Sequence, residues 1–487
     1  MTRDTIEATV RQALKTKFGF SSFRPGQKEA ILSVLNKRNS LVMLPTGTGK
    51  SLCYQLPSYF FKGKTLIISP LLSLMEDQVE RMKREGEKSV VALNSFMTQK
   101  EKRLALRQLD TFKFIFLSPE MILQDYVLNR LKQLDISLLV IDEAHCISQW
   151  GMDFRPDYLK LGRIRMELGN PLTMALTATA VEKVRQEILE QLHLDKKDTD
   201  EIIYSVNRPS IQLRTEICHG NKNERLFQLI NEIKGPGIIY FSSKKMADKW
   251  AEQIREETDL LAESYHSDLE NEDKKKIQAQ FLSNTVHIIC ATSAFGMGID
   301  KPDIRFVIHY HLPSNPETYL QEVGRCSRDK KGGVAVLLYE AGDERLQSRL
   351  QSGSLPTRDE LRYCYKYPER LPSLKEESKI DIARYFIEQS IPFQTAWETI
   401  EERWVRKKRQ LQFMVHYVHV ESCKRTCLLH YFNEKVINDQ DPCCSYCNRA
   451  FVLHVPESKF EKNLNENQEK PWKSVLKNLF NLESEPI

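Results

Sequence analysis

Between Asn39 and about Leu194 the chain alternates short apolar segments with polar or amphipathic stretches of helical character, and this rhythm restricts the folds open to it. The segments are SLVML, TLIIS, SVVAL, FIFLS, LLVID and TMALT. Such alternation specifies a parallel sheet covered by helices. From Asn207 a connector, NRPSIQLR, leads into a second series, GIIYF, ESYHS, HIICAT, RFVIHY and VAVLLY, which ends near Tyr339. The expected fold class is α/β, with two parallel-sheet domains joined near residue 207 and a cleft between them suited to a ligand-driven machine. A length of 487 residues also exceeds what one core normally holds.

Beyond Glu340 the pattern changes to helical periodicity, in DERLQSRLQ, TRDELRYCYKY and ESKIDIARYFIEQ through RWVRKKRQLQFMVHYVHV. The expected divisions are 1–206, 207–345, a helical linker or insertion at 346–410, a cysteine-bearing subdomain at 411–450 and a tail at 451–487. The basic run Arg403 to Gln410 reads first as a solvated helix face. No apolar stretch approaches the ~20 residues of a membrane span, and the N-terminus has no signal-peptide apolar region, so a cytoplasmic protein with no membrane partner is expected. A net charge of +5 permits a polyanionic partner without requiring one. Of the 11 cysteines, Cys423, Cys427, Cys443, Cys444 and Cys447 crowd together, which points to a metal before disulfides.

PTGTGKS, Pro45 to Ser51, follows the strand SLVML and precedes a helix start. Such a loop presents the backbone N–H groups of Thr46, Gly47, Thr48, Gly49, Lys50 and Ser51 to phosphate oxygens. Lys50 reaches the β- and γ-phosphates, and the Ser51 hydroxyl ligates magnesium. The full pattern asks for Gly where Leu44 stands. Downstream, LLVI ends in Asp142 and Glu143, at the carboxyl end of a strand, where open α/β sheets place their ligands. A nucleoside-triphosphatase needs one acid to hold the magnesium, here Asp142, and a second to orient the attacking water, here Glu143.

DEAH together with PTGTGKS resembles the helicases of superfamily two, and the wider sequence resembles the RecQ family. The further blocks that carry the resemblance are FGFSSFRPGQ at 18–27, SPLLSLMEDQV at 69–79, LSPE at 117–120, LTATA at 176–180, ICATSAFGMGIDKPDIRFVIHY at 289–310 and PETYLQEVGRCSRD at 316–329. It covers about residues 15 to 340 and resumes in the cysteine region. It implies two RecA-like domains, then a mainly helical region and a small zinc-binding subdomain. By the same resemblance, Phe20 and Arg24 flank the adenine ring of ATP and Gln27 reads its edge. CISQWGMDFRPDY, Cys146 to Tyr158, resembles the aromatic-rich loop through which these enzymes sense single-stranded DNA, with Trp150 and Phe154 stacking on bases and Arg155 on phosphate or in the switch. Arg325 and Arg328, three apart on one expected helical face, reach the γ-phosphate as arginine fingers. Thr292 and Ser293 donate to a nucleic-acid backbone, and Gly298 and Asp300 belong to a hinge near the nucleotide.

The chain departs from the family's pattern in several places. Cys326 and Ser327 stand where Ala and Gly are usual. Asp441 stands where the first loop cysteine of the zinc site is expected, so the expected Zn2+ ligands are Cys423, Cys427, Cys444 and Cys447, with Cys443 or Asp441 as substitutes for one. Cys427 enters because i and i+4 share a helix face. The 346–410 stretch is longer than the family's usual link, and the forty residues after Cys447 leave no room for winged-helix and HRDC domains. The expected function is an ATP- and Mg2+-dependent 3′ to 5′ DNA helicase acting as a monomer on single-stranded and branched or duplex DNA in repair or recombination. Implied partners are a single-stranded-DNA-binding protein and repair nucleases. The rivals are a DNA translocase without strand separation, an RNA helicase and a non-catalytic zinc-stapled scaffold.

Overall fold

The computed structural model describes residues 3–70, 72–94, 97–148, 156–296, 301–373, 377–434 and 443–448. Trp150, Phe154, Arg155, Gly298, Asp300 and Asp441 lie outside the described residues.

The first lobe is built on β1 (Asn39–Met43), β2 (Lys64–Ile68), β3 (Val90–Leu93), β4 (Phe114–Leu117), β5 (Ile136–Ile141), β6 (Thr173–Thr177) and β7 (Thr199–Ile203). They form one sheet in the order β3-β4-β2-β5-β6-β1-β7, every pair parallel. Helices cover both faces, so central strands such as FIFL are buried at every position, which is why they read as unbroken apolar runs. The register sets Met43 against Thr177 and Ile141 against Ala175. The carboxyl ends of β1, β6 and β5 are therefore neighbours, and each continues into one of the motifs singled out above.

The second lobe holds β8 (Ile211–Cys218), β9 (Gly237–Tyr240), β10 (Ala262–Tyr265), β11 (Ile288–Ala291), β12 (Phe306–His309) and β13 (Gly333–Glu340). The sheet order is β10-β11-β9-β12-β13-β8. Two strands are not evident from the sequence. TDEII forms β7, and IQLR, read as connector, begins β8, which pairs with β13 from Ile211↔Gly333 to Cys218↔Glu340. Both are edge strands rich in polar residues, and the apolar signal is weakest there.

Past the second lobe, helices Asp343–Ser352, Arg358–Lys366, Glu377–Glu388 and Phe393–His419 enclose a separate core of Leu355, Leu361, Phe386, Ala396 and Ile400 with their neighbours. The last of these helices is 27 residues long and runs straight through the division expected at residue 410. Helix Lys424–Tyr431 follows, and residues 443–448 return to the edge of β8, where Leu213 bridges Cys444. Among the described residues no helix is long and apolar enough to cross a membrane.

Candidate functional site: a nucleotide cleft between the lobes

The phosphate loop joins β1 to helix Ser51–Ser58. Gly47 and Gly49 adopt φ of 79° and 75°, a conformation that costs any residue with a Cβ. Leu44 fits because its side chain joins the core beneath helix Gln27–Leu35. Gly26 makes room for it, since a methyl there would lie 2.2 Å from Leu44 Cδ2. The loop's backbone donors and the helix N-terminus together form an anion cradle.

Arg24 and Gln27 do come to this loop. Arg24 donates to the Gly47 carbonyl at 2.5 Å, and the Gln27 amide donates to the carbonyls of Thr48 and Gly49 at 2.7 and 3.1 Å. Gln27 Oε1 accepts from the Arg24 backbone at 2.8 Å. Both side chains are thus tied to the state of the loop. Phe20 remains 47% exposed, an aromatic face open to a base.

Asp142 and Glu143 stand at the end of β5, only 9% and 7% exposed. Glu143 has φ 47°, a strained turn of the kind that clusters at active sites. Lys50 Nζ is 3.7 Å from Glu143 Oε1. His145 Nδ1 lies 3.4 Å from the other oxygen and 3.0 Å from Thr177 Oγ1, so β6 is linked to Glu143 through His145. Burial, then the Glu143 carboxylate, pushes the Asp142 pKa up to about 7, against the pull of Lys50. An oxygen donor set of Ser51 hydroxyl and a carboxylate held in this condition suits a hard dication.

The second lobe supplies the opposite wall. Arg325 and Arg328 are not on one helical face: helix Pro316–Val323 ends before them. They sit in the turn that follows, where Ser327 takes φ 50°. That strain is offset locally, because Ser327 Oγ accepts from the Gly332 backbone at 3.1 Å. Cys326 is fully buried and its Sγ lies 3.4 Å from the Arg305 carbonyl, with Gly333 leaving the space it needs. The turn therefore keeps its shape with Cys and Ser in place of Ala and Gly. Arg328 packs on the phosphate loop: a methyl at Gly47 would lie 2.8 Å from Arg328 Cγ. Arg325 is buried near Gly296, and its Nε has no hydrogen-bond partner among the described residues. A buried cation with an unused donor in such a cleft is suited to a polyphosphate.

Arg208 carries no sequence motif, yet it is central to the cleft. From the linker between β7 and β8 it donates to Thr46 O and Gly324 O, both at 2.8 Å, and to Cys326 O and Ser327 O, both at 3.0 Å. One guanidinium thus joins the phosphate loop of one lobe to the arginine turn of the other. Gly324 allows this approach, because a methyl there would lie 1.8 Å from Thr46 Oγ1. Thr292 Oγ1 accepts from Ala294 N at 3.4 Å, which leaves its own O–H to donate.

In the cysteine cluster the geometry favours the substitute ligand Cys443 over Cys427. Cys423, Cys443, Cys444 and Cys447 bring their Sγ atoms within 4.8 Å of one another, a group that does not include Cys427. Cys423 is the N-cap of helix Lys424–Tyr431, with ψ 116°, so it lies outside the helix and the shared-face argument for Cys427 does not apply. Cys443 takes its place. Sγ separations of 3.6 Å (Cys423 to Cys443) and 3.9 Å (Cys423 to Cys444) match the S–S edge of about 3.8 Å that a tetrahedral Zn–S bond of about 2.3 Å requires.

The run Arg403 to Gln410 is also not simply a solvated face. Arg403 is 6% exposed and Gln410 8%. Burial, then the neighbouring Arg406, pulls the Arg403 pKa down to about 9. Gln410 and Tyr431 donate to Glu317 at 3.2 and 2.9 Å, on the helix that leads into Arg325.

Two parallel sheets, with a phosphate loop on one lobe and an arginine turn on the other, define a two-lobed nucleoside-triphosphatase motor. Residues 24–188 match the DEAD/DEAH box helicase family, 221–330 the helicase conserved C-terminal domain and 378–448 the RecQ zinc-binding domain. The probable ATP-dependent DNA helicase RecS of Bacillus subtilis is 41% identical over 493 residues, spanning 98% of this chain and 98% of that protein. The ATP-dependent DNA helicase RecQ of Pasteurella multocida is 35% identical over 447 residues, covering 91% of this chain; the chain spans 62% of that relative's length. In fold alone the chain is similar to a Mycobacterium smegmatis helicase Lhr, solved with single-stranded DNA and AMP-PNP. The TM-score is 0.56 at 20% identity, over 71% of this chain and 50% of that one. The chain belongs to the RecQ family of ATP-dependent DNA helicases.

Proposed function

We propose that the chain hydrolyses ATP in the interlobe cleft to move 3′ to 5′ along single-stranded DNA and to open duplexes during repair or recombination. The observation that carries this reading is the Arg208 bridge, which ties the turn bearing Arg325 and Arg328 to the phosphate loop. Phosphates rest on the backbone donors of Thr46 to Ser51, and Lys50 neutralises their charge. Phe20 and Arg24 present flat faces for the adenine. Glu143, steadied by His145, orients the attacking water, and Arg325 and Arg328 stabilise the charge that develops on the transferred group. Ser51 and Asp142 would hold Mg2+, which when bound neutralises phosphate charge. The four thiolates of Cys423, Cys443, Cys444 and Cys447 would hold a structural Zn2+ with no open position. Hydrolysis and phosphate release loosen the arginine turn, and alternation between closed and open cleft moves the lobes along a strand held by its backbone.

The test is ATP-dependent opening of a DNA duplex with a 3′ single-stranded tail, beside 5′-tailed and RNA versions. Selective opening of the 3′-tailed DNA supports the proposal. DNA-stimulated hydrolysis without opening would leave a translocase, and preference for RNA would overturn the DNA reading. Lys50→Ala and Glu143→Gln should abolish turnover, and preserved hydrolysis in either would remove the assigned site.

A further inference from the structure

The helical region after the second lobe carries a surface that the nucleotide cleft does not use. Helix Arg358–Lys366 begins with a capping box between Thr357 and Glu360, and it turns Leu361 and Cys364 into the local core. The face left outside carries Arg358, Arg362 and Lys366, each four residues from the last, or about 6 Å of rise per step. Arg370 follows in the 3-10 turn Pro368–Ser373. Beside this row Tyr363 and Tyr367 set their rings 5.1 Å apart at 52°, and Tyr363 is 40% exposed.

Some exposed helical cations elsewhere sit in ordinary carboxylate pairs, such as Arg81 with Glu85 at 3.0 Å and Arg384 with Asp381 at 2.7 Å. Here they lie over rings. Arg358 is 5.9 Å from the centre of Trp397, Arg362 5.8 Å from Phe393, and Lys366 and Arg370 5.2 and 4.9 Å from Tyr367. Among the described residues Arg358 and Lys366 have no carboxylate within ion-pair distance. Arg362 meets Asp359 at 3.3 Å, in a contact so exposed that it holds little. Cations already ordered on aromatic faces lose less freedom when an anion arrives. A row of cations beside an open aromatic face matches a strand that offers both phosphates and unpaired bases.

Position supports the same occupant. The neighbouring helix Glu377–Glu388 packs on the first lobe, with Tyr385 against its core and Glu388 3.2 Å from Lys160. Lys160 follows the segment Cys146 to Tyr158, the stretch assigned to sensing single-stranded DNA. The Lys160–Glu388 contact thus brings the helical region to the chain just after Tyr158.

We propose that Arg358, Arg362, Lys366 and Tyr363 form a secondary site for single-stranded DNA, the cations on successive phosphates and Tyr363 on a base; this rests on the helicase reading above. The experiment uses the full chain, with Arg358→Glu combined with Lys366→Glu in one variant and Tyr363→Ala in another. Binding is followed by fluorescence anisotropy on a short oligothymidylate that the motor lobes alone fill and on one several times longer. For the longer strand the double variant should lower the slope of log affinity against log salt by about 1.4, at about 0.7 for each phosphate no longer neutralised. Tyr363→Ala should weaken binding of the longer strand by about fivefold or more. The short strand and the basal ATPase should be unchanged. Unaltered binding of the longer strand in both variants, with ATPase still stimulated by DNA, overturns the secondary site alone. A loss seen on blunt duplex and not on single strands also overturns it. A wild-type enzyme whose ATPase no DNA stimulates overturns the helicase reading itself.

Discussion

Replacing Arg208 by Ala removes a side chain that no motif nominates and takes a donor from each of four backbone carbonyls, of which Ser327 O keeps Lys330 N at 3.1 Å and Ser210 Oγ at 3.4 Å. A buried acceptor left unpaired costs about 1–3 kcal/mol, and hydrogen bonds to a charged group contribute at the upper end of the usual range. Water can replace the guanidinium at Thr46 O and Gly324 O, where the two lobes meet, and Ser327 O stays paired, so only Cys326 O is counted at full cost. The docked arrangement of the lobes should therefore lose about 1–3 kcal/mol. If the closed arrangement is the one that hydrolyses ATP, even the lower figure corresponds to about fivefold in kcat. KM for ATP should change little, because the backbone donors of the loop stay in place. Arg208→Lys should recover only a small part, since an ammonium offers three donors from one point and cannot span four carbonyls. The assay is DNA-stimulated ATP hydrolysis at saturating nucleotide, with thermal melting as the control for folding. An Arg208→Ala enzyme within about threefold of wild type in kcat would refute the view that this bridge sets the arginine turn against the phosphate loop.

Three further outcomes are expected. Cys443→Ser should lose bound zinc and Cys427→Ser should keep it, as read by metal analysis of the purified proteins; the reverse would restore Cys427 as the ligand. Asp142 has a pKa raised to about 7, so the folded state holds its proton more tightly than the unfolded chain, and the metal-free protein should lose stability from this group as pH rises from about 4 to 7. Mg2+ binds the deprotonated form, so its increment in melting temperature should be larger at pH 8 than at pH 5, and Asp142→Asn should abolish that difference. Glu317 is buried with its pKa raised chiefly by burial and accepts from Gln410 and Tyr431; Glu317→Ala should lower kcat more than it raises KM for ATP, whereas an equal effect on both would mean simple loss of structure.

Much of the fold is legible in the sequence because its information is local. A parallel strand buried on both faces announces itself as a short apolar run, and the motifs at the ends of β1, β5 and β6 are contiguous in sequence. The edge strands β7 and β8 are not legible, since TDEII and IQLRTEIC carry polar residues where one side meets something other than a strand. Arg208 escapes for a different reason: its partners are four carbonyls, which leave no trace in side-chain identity and lie at residue 46 and in the stretch 324–327. Helical spacing favours Cys427 over Cys443 only if Cys423 belongs to the helix, and Cys423 caps it instead. The run Arg403 to Gln410 reads as solvated because its charges are dense, but a long helix packed on both sides must bury some of them.

The bonds that surround Arg208 also say how the cysteine cluster can reach the motor. Arg425, next to the cluster on helix Lys424–Tyr431, donates to Asn207 Oδ1 and Arg208 O at 2.8 and 3.0 Å, and to Ile211 O and Cys443 O at 2.6 and 3.1 Å. Residues 443–445 add to the edge of β8, with Leu213 N to Cys443 O at 3.2 Å and Ser445 N to Leu213 O at 2.8 Å. Glu434, just past the same helix, accepts from Val206 N at 2.8 Å and from Ser205. The linker between the lobes is thus bonded from Ser205 to Ile211 by groups whose positions depend on the cysteine cluster staying folded. A structural metal bound by these cysteines would pin Cys423 to the 443–447 turn and hold Arg425 and Cys443 in register, and through them the backbone from which Arg208 reaches the phosphate loop. Its influence on hydrolysis would then pass through the stiffness of the hinge, with no contact needed between the metal and the nucleotide.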